Sequence, residues 1–173
     1  MNKNISQILS VKNLKLNYKD SRGLFITNES IKAVDDVSVN VCSGETLGIV
    51  GESGSGKSSI CRLILNLITK TSGEIEWFGK NFDTYSNLEI KKFRKEVQII
   101  FQDPYGSLDP RMTISIIIKE PLDIFNKKLS KKDKELKIFE LMSDVGLSSD
   151  LFNRYPHELS GGQCQRVGIA RAL

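Results

Sequence analysis

The sequence predicts an α/β fold in which strands come first, helices follow, and a glycine-rich strand–loop–helix unit joins the two. Three observations carry that prediction. The first forty-five residues alternate as β-strands do. A short apolar run at 46–50 leads through a loop of glycines into a helical pattern. From Thr113 onward the apolar spacing is helical.

Taken in order, residues 8–16 alternate loosely through Leu9, Val11, Leu14 and Leu16, and residues 33–41 alternate well through Val37, Val39 and Val41. Residues 43–45, with Gly44, read as a turn. The run Thr46-Leu47-Gly48-Ile49-Val50 has the continuous apolar character of a strand buried on both faces. Residues 57–68 form a helix with Leu63, Ile64, Leu67 and Ile68 on one side, closed off near Ser72 and Gly73. Residues 74–78 return to strand, with Ile75 and Trp77 on one face, and 87–95 form a short helix. A second core strand is expected at 97–101, then a loop rich in Asp, Pro and Gly at 102–111. Leu136, Phe139, Glu140 and Val145 follow a 3.6-residue period, and Gly146 is placed to end that helix. A last helix starts at Ser160 and runs over 163–173.

At 173 residues the chain is one domain or most of one, long enough to bury a core. Its 39% apolar and 27% charged residues are ordinary for a soluble globular protein. No apolar run approaches the roughly 18 residues that would mark a membrane span, and the first residues lack the pattern of a signal peptide, so a cytoplasmic location is expected. Three widely spaced cysteines, Cys42, Cys61 and Cys164, have no metal-site spacing and read as reduced, buried thiols. A net charge of +4 permits contact with nucleic acid or an anionic membrane without demanding it. The lysines at 127, 128, 131, 132, 134 and 137 read as a solvated loop and helix face. No repeat or flexible linker divides the chain.

The loop after the 46–50 run is Gly51-Glu52-Ser53-Gly54-Ser55-Gly56-Lys57-Ser58, which fits the P-loop pattern in its proper strand–loop–helix setting. Gly51, Gly54 and Gly56 let successive backbone N–H groups turn toward a phosphate, and the following helix brings its positive end to the same place. Lys57 supplies an ammonium to the β- and γ-phosphates, and the Ser58 hydroxyl is placed to ligate Mg²⁺. Ser55 and Ser59 complete the nucleotide-binding stretch. Ser53 and Ser59 have no individual role. The competing structural reading is a plain glycine-rich turn from strand to helix.

A second anion cradle is legible about a hundred residues on, at Leu159-Ser160-Gly161-Gly162-Gln163. Ser160 is placed as a helix N-cap, and the two glycines allow close approach of a phosphate. Standing alone it would serve equally well as an ordinary capped helix. Followed by Gln165-Arg166-Val167 and Ile169-Ala170-Arg171-Ala172-Leu173, it resembles the signature region of ATP-binding cassette (ABC) ATPases. The run Gln102-Asp103-Pro104-Tyr105-Gly106-Ser107-Leu108-Asp109-Pro110-Arg111 is similar to the glutamine loop of importers for oligopeptides, dipeptides and nickel, and Tyr155-Pro156-His157-Glu158 suits the same group.

The resemblance covers about residues 9–173. It implies a P-loop NTPase core with an antiparallel β subdomain and a helical subdomain, divided as 1–102 (β subdomain and P-loop core), 103–159 (helical subdomain) and 160–173 (signature motif and helix). It implies ATP and Mg²⁺ as cofactors, bound by Tyr18 (stacking on adenine), Gly51, Gly54, Ser55, Gly56, Lys57, Ser58 and Ser59. Ser160, Gly161, Gly162 and Gln163 then face the nucleotide of a second ATPase subunit in a head-to-tail dimer. Gln102 takes the catalytic position, touching Mg²⁺ or the attacking water and coupling to integral membrane permease subunits. An extracytoplasmic solute-binding protein takes part indirectly, nucleic acid is not a partner, and the subunit sits peripherally on the cytoplasmic face of the membrane. His157 precedes the signature and is not the family's switch histidine.

No residues here match the family's apolar strand ending in Asp-Glu, its following Asp loop or its switch histidine. The fold is therefore expected to lack the C-terminal part of the core, and a polypeptide of these residues alone is expected to hydrolyse ATP negligibly. A core strand missing from a parallel sheet would leave backbone and apolar faces unpaired. Beside the importer reading stand two others: a truncated remnant that does not hydrolyse ATP, and a soluble ABC protein acting on nucleic acid or the ribosome.

Overall fold

The computed structural model describes residues 6–19 and 30–173, and it forms two compact units, Met1–Lys91 and Lys92–Leu173.

The first unit is built on an antiparallel sheet in the order β2-β1-β3-β4. Its strands are β1 (Gln7–Lys19), β2 (Ser30–Cys42), β3 (Ser72–Trp77) and β4 (Lys80–Asn81). The alternation read from the sequence puts Leu9, Val11, Leu14 and Leu16 of β1 inward, where they are buried with Val34, Ile75 and Trp77. β1 is irregular: its register against β2 shifts after Val11 and again around Leu14. Asn13 there adopts φ +49°, and its side chain donates to Asp36 Oδ1 at 3.0 Å.

Helix α1 (Lys57–Ile64) packs its buried Leu63 inward and stops four residues before the apolar pattern does. Asn66 is the reason. It adopts φ +50°, its N–H donates to Leu63 O at 2.8 Å, and the Leu67 N–H donates to Arg62 O at 2.8 Å. That pair of bonds is a Schellman ending, which Asn tolerates better than other non-glycine residues. Trp77 then donates its indole N–H to Ile64 O at 2.9 Å, tying the last turn of α1 to the sheet.

Helix α2 (Asn87–Glu96) crosses the division between the units. The second unit is otherwise helical: α3 (Ile114–Phe125), α4 (Lys131–Asp144) and α5 (Gly161–Ala172). They enclose one core of Leu108, Ile114, Ile117, Ile118, Leu122, Ile138, Leu141, Met142, Leu147, Leu159, Cys164, Val167 and Ala170. The buried face of α4 is Ile138, Leu141 and Met142 rather than the Leu136 and Phe139 expected; Leu136 is exposed, and Phe139 stacks on Phe152. Both sets have helical spacing, so the core alone decides between them. Gly146 ends α4 as expected, at φ +69° with its N–H on Ser143 O and that of Leu147 on Met142 O. Of the lysine run, 127, 128, 131 and 132 are exposed, while Lys134 pairs with Asp123 at 2.7 Å.

Two expectations fail in a common way. Residues 46–50 and 97–101 are not strands. Every residue of 46–50 is exposed, Val50 at 95%, and Ile100 of the later segment is 52% exposed. A strand buried on both faces needs hydrogen-bonded neighbours, and every described strand is already committed to the antiparallel sheet. The apolar character is therefore present without the ladder. The thiols differ too: Cys164 is buried, but Cys42 is half-buried and Cys61 is exposed on α1.

Candidate functional site

The glycine-rich loop ends at Gly56, the N-cap of α1, with φ +91° and no side chain to offer the first turn. A Cβ at this position would stand 2.3 Å from the carbonyl oxygen of Ala33 in β2. Only glycine fits there. The first N–H groups of α1 thus have no side-chain cap and, as in any helix, no partner within the helix. Residues 51–55 before them are exposed. The Lys57 ammonium folds back over the loop and donates to the carbonyl oxygens of Gly51 (2.7 Å) and Glu52 (2.5 Å), with Ser55 Oγ at 3.4 Å. Uncapped N–H groups, a helix dipole and an ammonium held only by exposed oxygens form the donor set that an oligophosphate requires. Ser58 follows, exposed, and Ser59 is half-buried.

Tyr18 lies near the end of β1, opposite Ile31 of β2, and is 46% exposed. Among the described residues no hydrogen bond or ring contact joins it to the loop. No group of three or more His, Cys, Asp or Glu among the described residues could hold a metal ion.

In the second unit, α5 starts with a complete capping box. The Gln163 N–H donates to Ser160 Oγ at 3.3 Å, and the Ser160 N–H donates to Gln163 Oε1 at 2.9 Å. The Ser-x-x-Gln spacing carries that signal in the sequence. Just ahead, the Glu158 carboxylate accepts from the Tyr155 N–H and from Arg154, both at 2.7 Å. First the N–H and then the guanidinium hold its pKa below the ordinary range. Burial pushes the Cys164 thiol up. Gly162 is exposed, and a Cβ there would meet nothing within 4 Å.

Gln102 is exposed at the start of a loop organised by Asp103, whose Oδ1 accepts from the N–H groups of Tyr105 (3.1 Å) and Gly106 (3.0 Å). Arg111 grips Asp109 with two side-chain bonds, 3.0 and 2.8 Å, and pulls its pKa down to about 2. This loop meets the second glycine motif. The Tyr105 hydroxyl donates to Leu159 O at 3.0 Å, and Arg171 donates to Ser107 O at 2.8 Å. The sequence carries no local signal for either bond, because the partners of Tyr105 and Arg171 lie 54 and 64 residues away.

The family model described as ABC transporter matches residues 34–173. The chain belongs to the ABC transporter family. The cassette resembles the oligopeptide transport ATP-binding protein OppF of Haemophilus influenzae, with 49% identity over 96% of this chain and 51% of that one. It also resembles the dipeptide transport ATP-binding protein DppF of the same organism, with 45% identity over 96% of this chain and 50% of that one. The chain therefore spans about half the length of the curated relatives it matches. Among solved structures, the dimeric structure of MJ0796, a bacterial ABC transporter cassette, matches with a TM-score of 0.81 and 31% identity, over 96% of this chain and 69% of that one. The structure of cbiO1 from Clostridium perfringens, part of the transporter complex cbiONQ, matches with a TM-score of 0.73 and 28% identity, over 97% of this chain and 61% of that one. Among the described residues, no helix is long and apolar enough to cross a membrane.

Proposed function

We propose that this cassette is the nucleotide-binding part of an importer ATPase for oligopeptides, dipeptides or related small solutes, coupling ATP binding and hydrolysis to transport. The observation that carries the reading is the uncapped start of α1 with the Lys57 ammonium folded over the loop. In this reading Gly51, Gly54, Ser55, Gly56, Lys57 and Ser59 surround the phosphates, and Tyr18 stacks on the base. Ser58 and Gln102 reach Mg²⁺, which would offset negative charge on the β- and γ-phosphates. The ammonium exchanges its bonds to Gly51 and Glu52 for phosphate oxygens, a stronger, charge-assisted pairing.

Ser160, Gly161, Gly162 and Gln163 serve a second ATPase subunit rather than this chain's own nucleotide. Gly162 supports that assignment, because the fold itself gives no reason for a glycine there. Helix interiors favour Ala over Gly, so close approach from outside is the remaining reason. Permease subunits at the cytoplasmic face of the membrane are the coupled partners, in line with the transport names of the relatives.

Calorimetric titration with MgATP tests the reading, with circular dichroism confirming that each variant is folded. Loss of the Lys57 charge-assisted bonds removes about 1.5–3 kcal/mol, so Lys57→Ala should bind at least about tenfold more weakly. Equal affinity in the two proteins would overturn the site.

A further inference from the structure

The turn between α3 and α4 places Lys127, Lys128, Lys131 and Lys132 close together in the chain, and all four are exposed. None of them forms an ion pair among the described residues. The carboxylates nearest in sequence are engaged elsewhere or stand apart. Asp123 pairs with Lys134 at 2.7 Å and with Lys119 at 3.4 Å. Asp133 accepts from the Ser130 hydroxyl at 2.7 Å. Glu135 follows Lys131 by one helical turn and pairs with none of the four lysines. The turn itself is built by hydrogen bonds. The Asn126 N–H donates to Leu122 O at 2.9 Å and the Leu129 N–H to Asn126 O at 3.1 Å. Ser130 Oγ then accepts from the Asp133 N–H at 3.2 Å and caps α4. The positive charge is thus held at one end of the helix pair.

Two leucines accompany that charge. Leu129 is exposed in the middle of the lysines, and Leu136 is 60% exposed, one turn after Lys132 on the same face of α4. At about 100° per residue, Leu136 points nearly opposite to the buried Ile138, Leu141 and Met142. A solvated lysine run has no use for either leucine. The turn contains lysine and no arginine. Lysine is a compact, mobile point charge that answers a diffuse negative field, whereas arginine makes paired bonds to one carboxylate or phosphate. Residues 126–136 also hold no aromatic ring to stack on a nucleic-acid base. Clustered lysines with leucines among them match an anionic lipid surface, where headgroups attract the ammoniums and the interface takes up the leucines.

We propose that the α3–α4 turn, through Lys127, Lys128, Leu129, Lys131, Lys132 and Leu136, is a contact surface for anionic lipid headgroups. The contact belongs to this chain and needs neither a permease nor a nucleotide. Each lysine close to such a surface strengthens binding by a factor of about five. The attachment is reversible and weakens as salt rises.

The test is co-sedimentation of the polypeptide with vesicles of phosphatidylcholine alone and of phosphatidylcholine mixed with phosphatidylglycerol. Circular dichroism confirms that each variant is folded. The unmutated protein should bind the mixed vesicles at least about tenfold more tightly than the neutral ones, and less tightly at high salt. Lys127→Gln, Lys128→Gln, Lys131→Gln and Lys132→Gln together should weaken that binding more than about fiftyfold. Lys12→Gln, Lys91→Gln, Lys92→Gln and Lys95→Gln remove the same charge from exposed positions elsewhere. Together they should weaken it less than about fivefold. Leu129→Ser with Leu136→Ser should weaken binding about tenfold and leave its salt dependence unchanged. Three results overturn the proposal: no preference for the mixed vesicles, equal losses in the two lysine sets, or no effect of the leucine changes. Soluble polyglutamate that displaces the protein from the mixed vesicles, together with indifference to the leucine changes, would assign the turn to an acidic protein partner instead.

Discussion

Helices α1 and α5 both begin beside glycines, and they complete their first turns in opposite ways. At α1 the cap is a glycine in the left-handed region with no side chain to give, so the first N–H groups are left for something outside the chain. At α5, Ser160 and Gln163 satisfy each other's backbone, so the turn is finished before any ligand arrives. Under the proposed function, the first arrangement grips an anion, and the second presents a preformed surface. On that proposal, the motif that embraces its phosphate sacrifices its cap, whereas the one that meets a nucleotide held elsewhere keeps it.

The sharpest way to break the comparison is at Gly56. Gly56→Ala brings a Cβ to 2.3 Å from the Ala33 carbonyl at a positive φ. The left-handed conformation alone costs about 1–2 kcal/mol, and the backbone collision adds to it. The variant should lose more than tenfold in MgATP affinity by calorimetry. Its urea midpoint should fall by the equivalent of more than about 2 kcal/mol. Retained affinity would show that the loop can hold phosphate in another conformation.

A smaller effect is expected at the other helix. Ser160→Ala removes a cap worth about 1 kcal/mol, so urea unfolding should show a loss near that size. MgATP affinity should stay unchanged, because the proposed function assigns the residue to the presenting surface. A matching loss of affinity would erase the distinction between the two turns.

How much of this contrast could be read from the chain depends on the range of each interaction. The P-loop, the Ser160 cap and the Gly146 stop are local patterns, and each was visible within a few residues. The Asn66 stop of α1 was also local, but an apolar pattern running to Ile68 concealed it. Residues 46–50 and 97–101 have the composition of core strands, yet strand structure is a property of pairs, and no composition supplies the neighbour. The ties from Tyr105 and Arg171 span more than fifty residues and became visible only when the helices were in place. The buried face of α4 was ambiguous for a related reason, since two interleaved sets share one period.

Gly162 sharpens the comparison from the opposite side. Its Cβ position is open, so Gly162→Ala should leave the fold intact or stabilise it by up to about 1 kcal/mol. ATP-dependent association should nevertheless weaken, because the methyl group occupies the surface that the proposed function gives to the partner's nucleotide. A more stable variant that associates normally would mean that the glycine serves no partner.

The smallest effect is electrostatic and belongs to the second unit. Asp109 is drawn down to about 2 by Arg111, and Glu158 is lowered by the Tyr155 N–H and Arg154. Both carboxylates are depressed in the folded state, so what they contribute is fully present above the ordinary carboxylate range near pH 4 and is lost as the pH falls toward 2. Glu158 is exposed and Asp109 half-buried at the surface, so the change should be slight and salt-sensitive. Thermal melts between pH 5 and pH 2 should show the helical unit losing stability across that window. Arg111→Met should lessen the slope below pH 4 without shifting the melt at pH 6 by more than a degree or two. A slope unaffected by that substitution would remove Asp109 from the account of the loop and leave its Asx turn at Asp103 as the feature that fixes Tyr105 beneath Leu159.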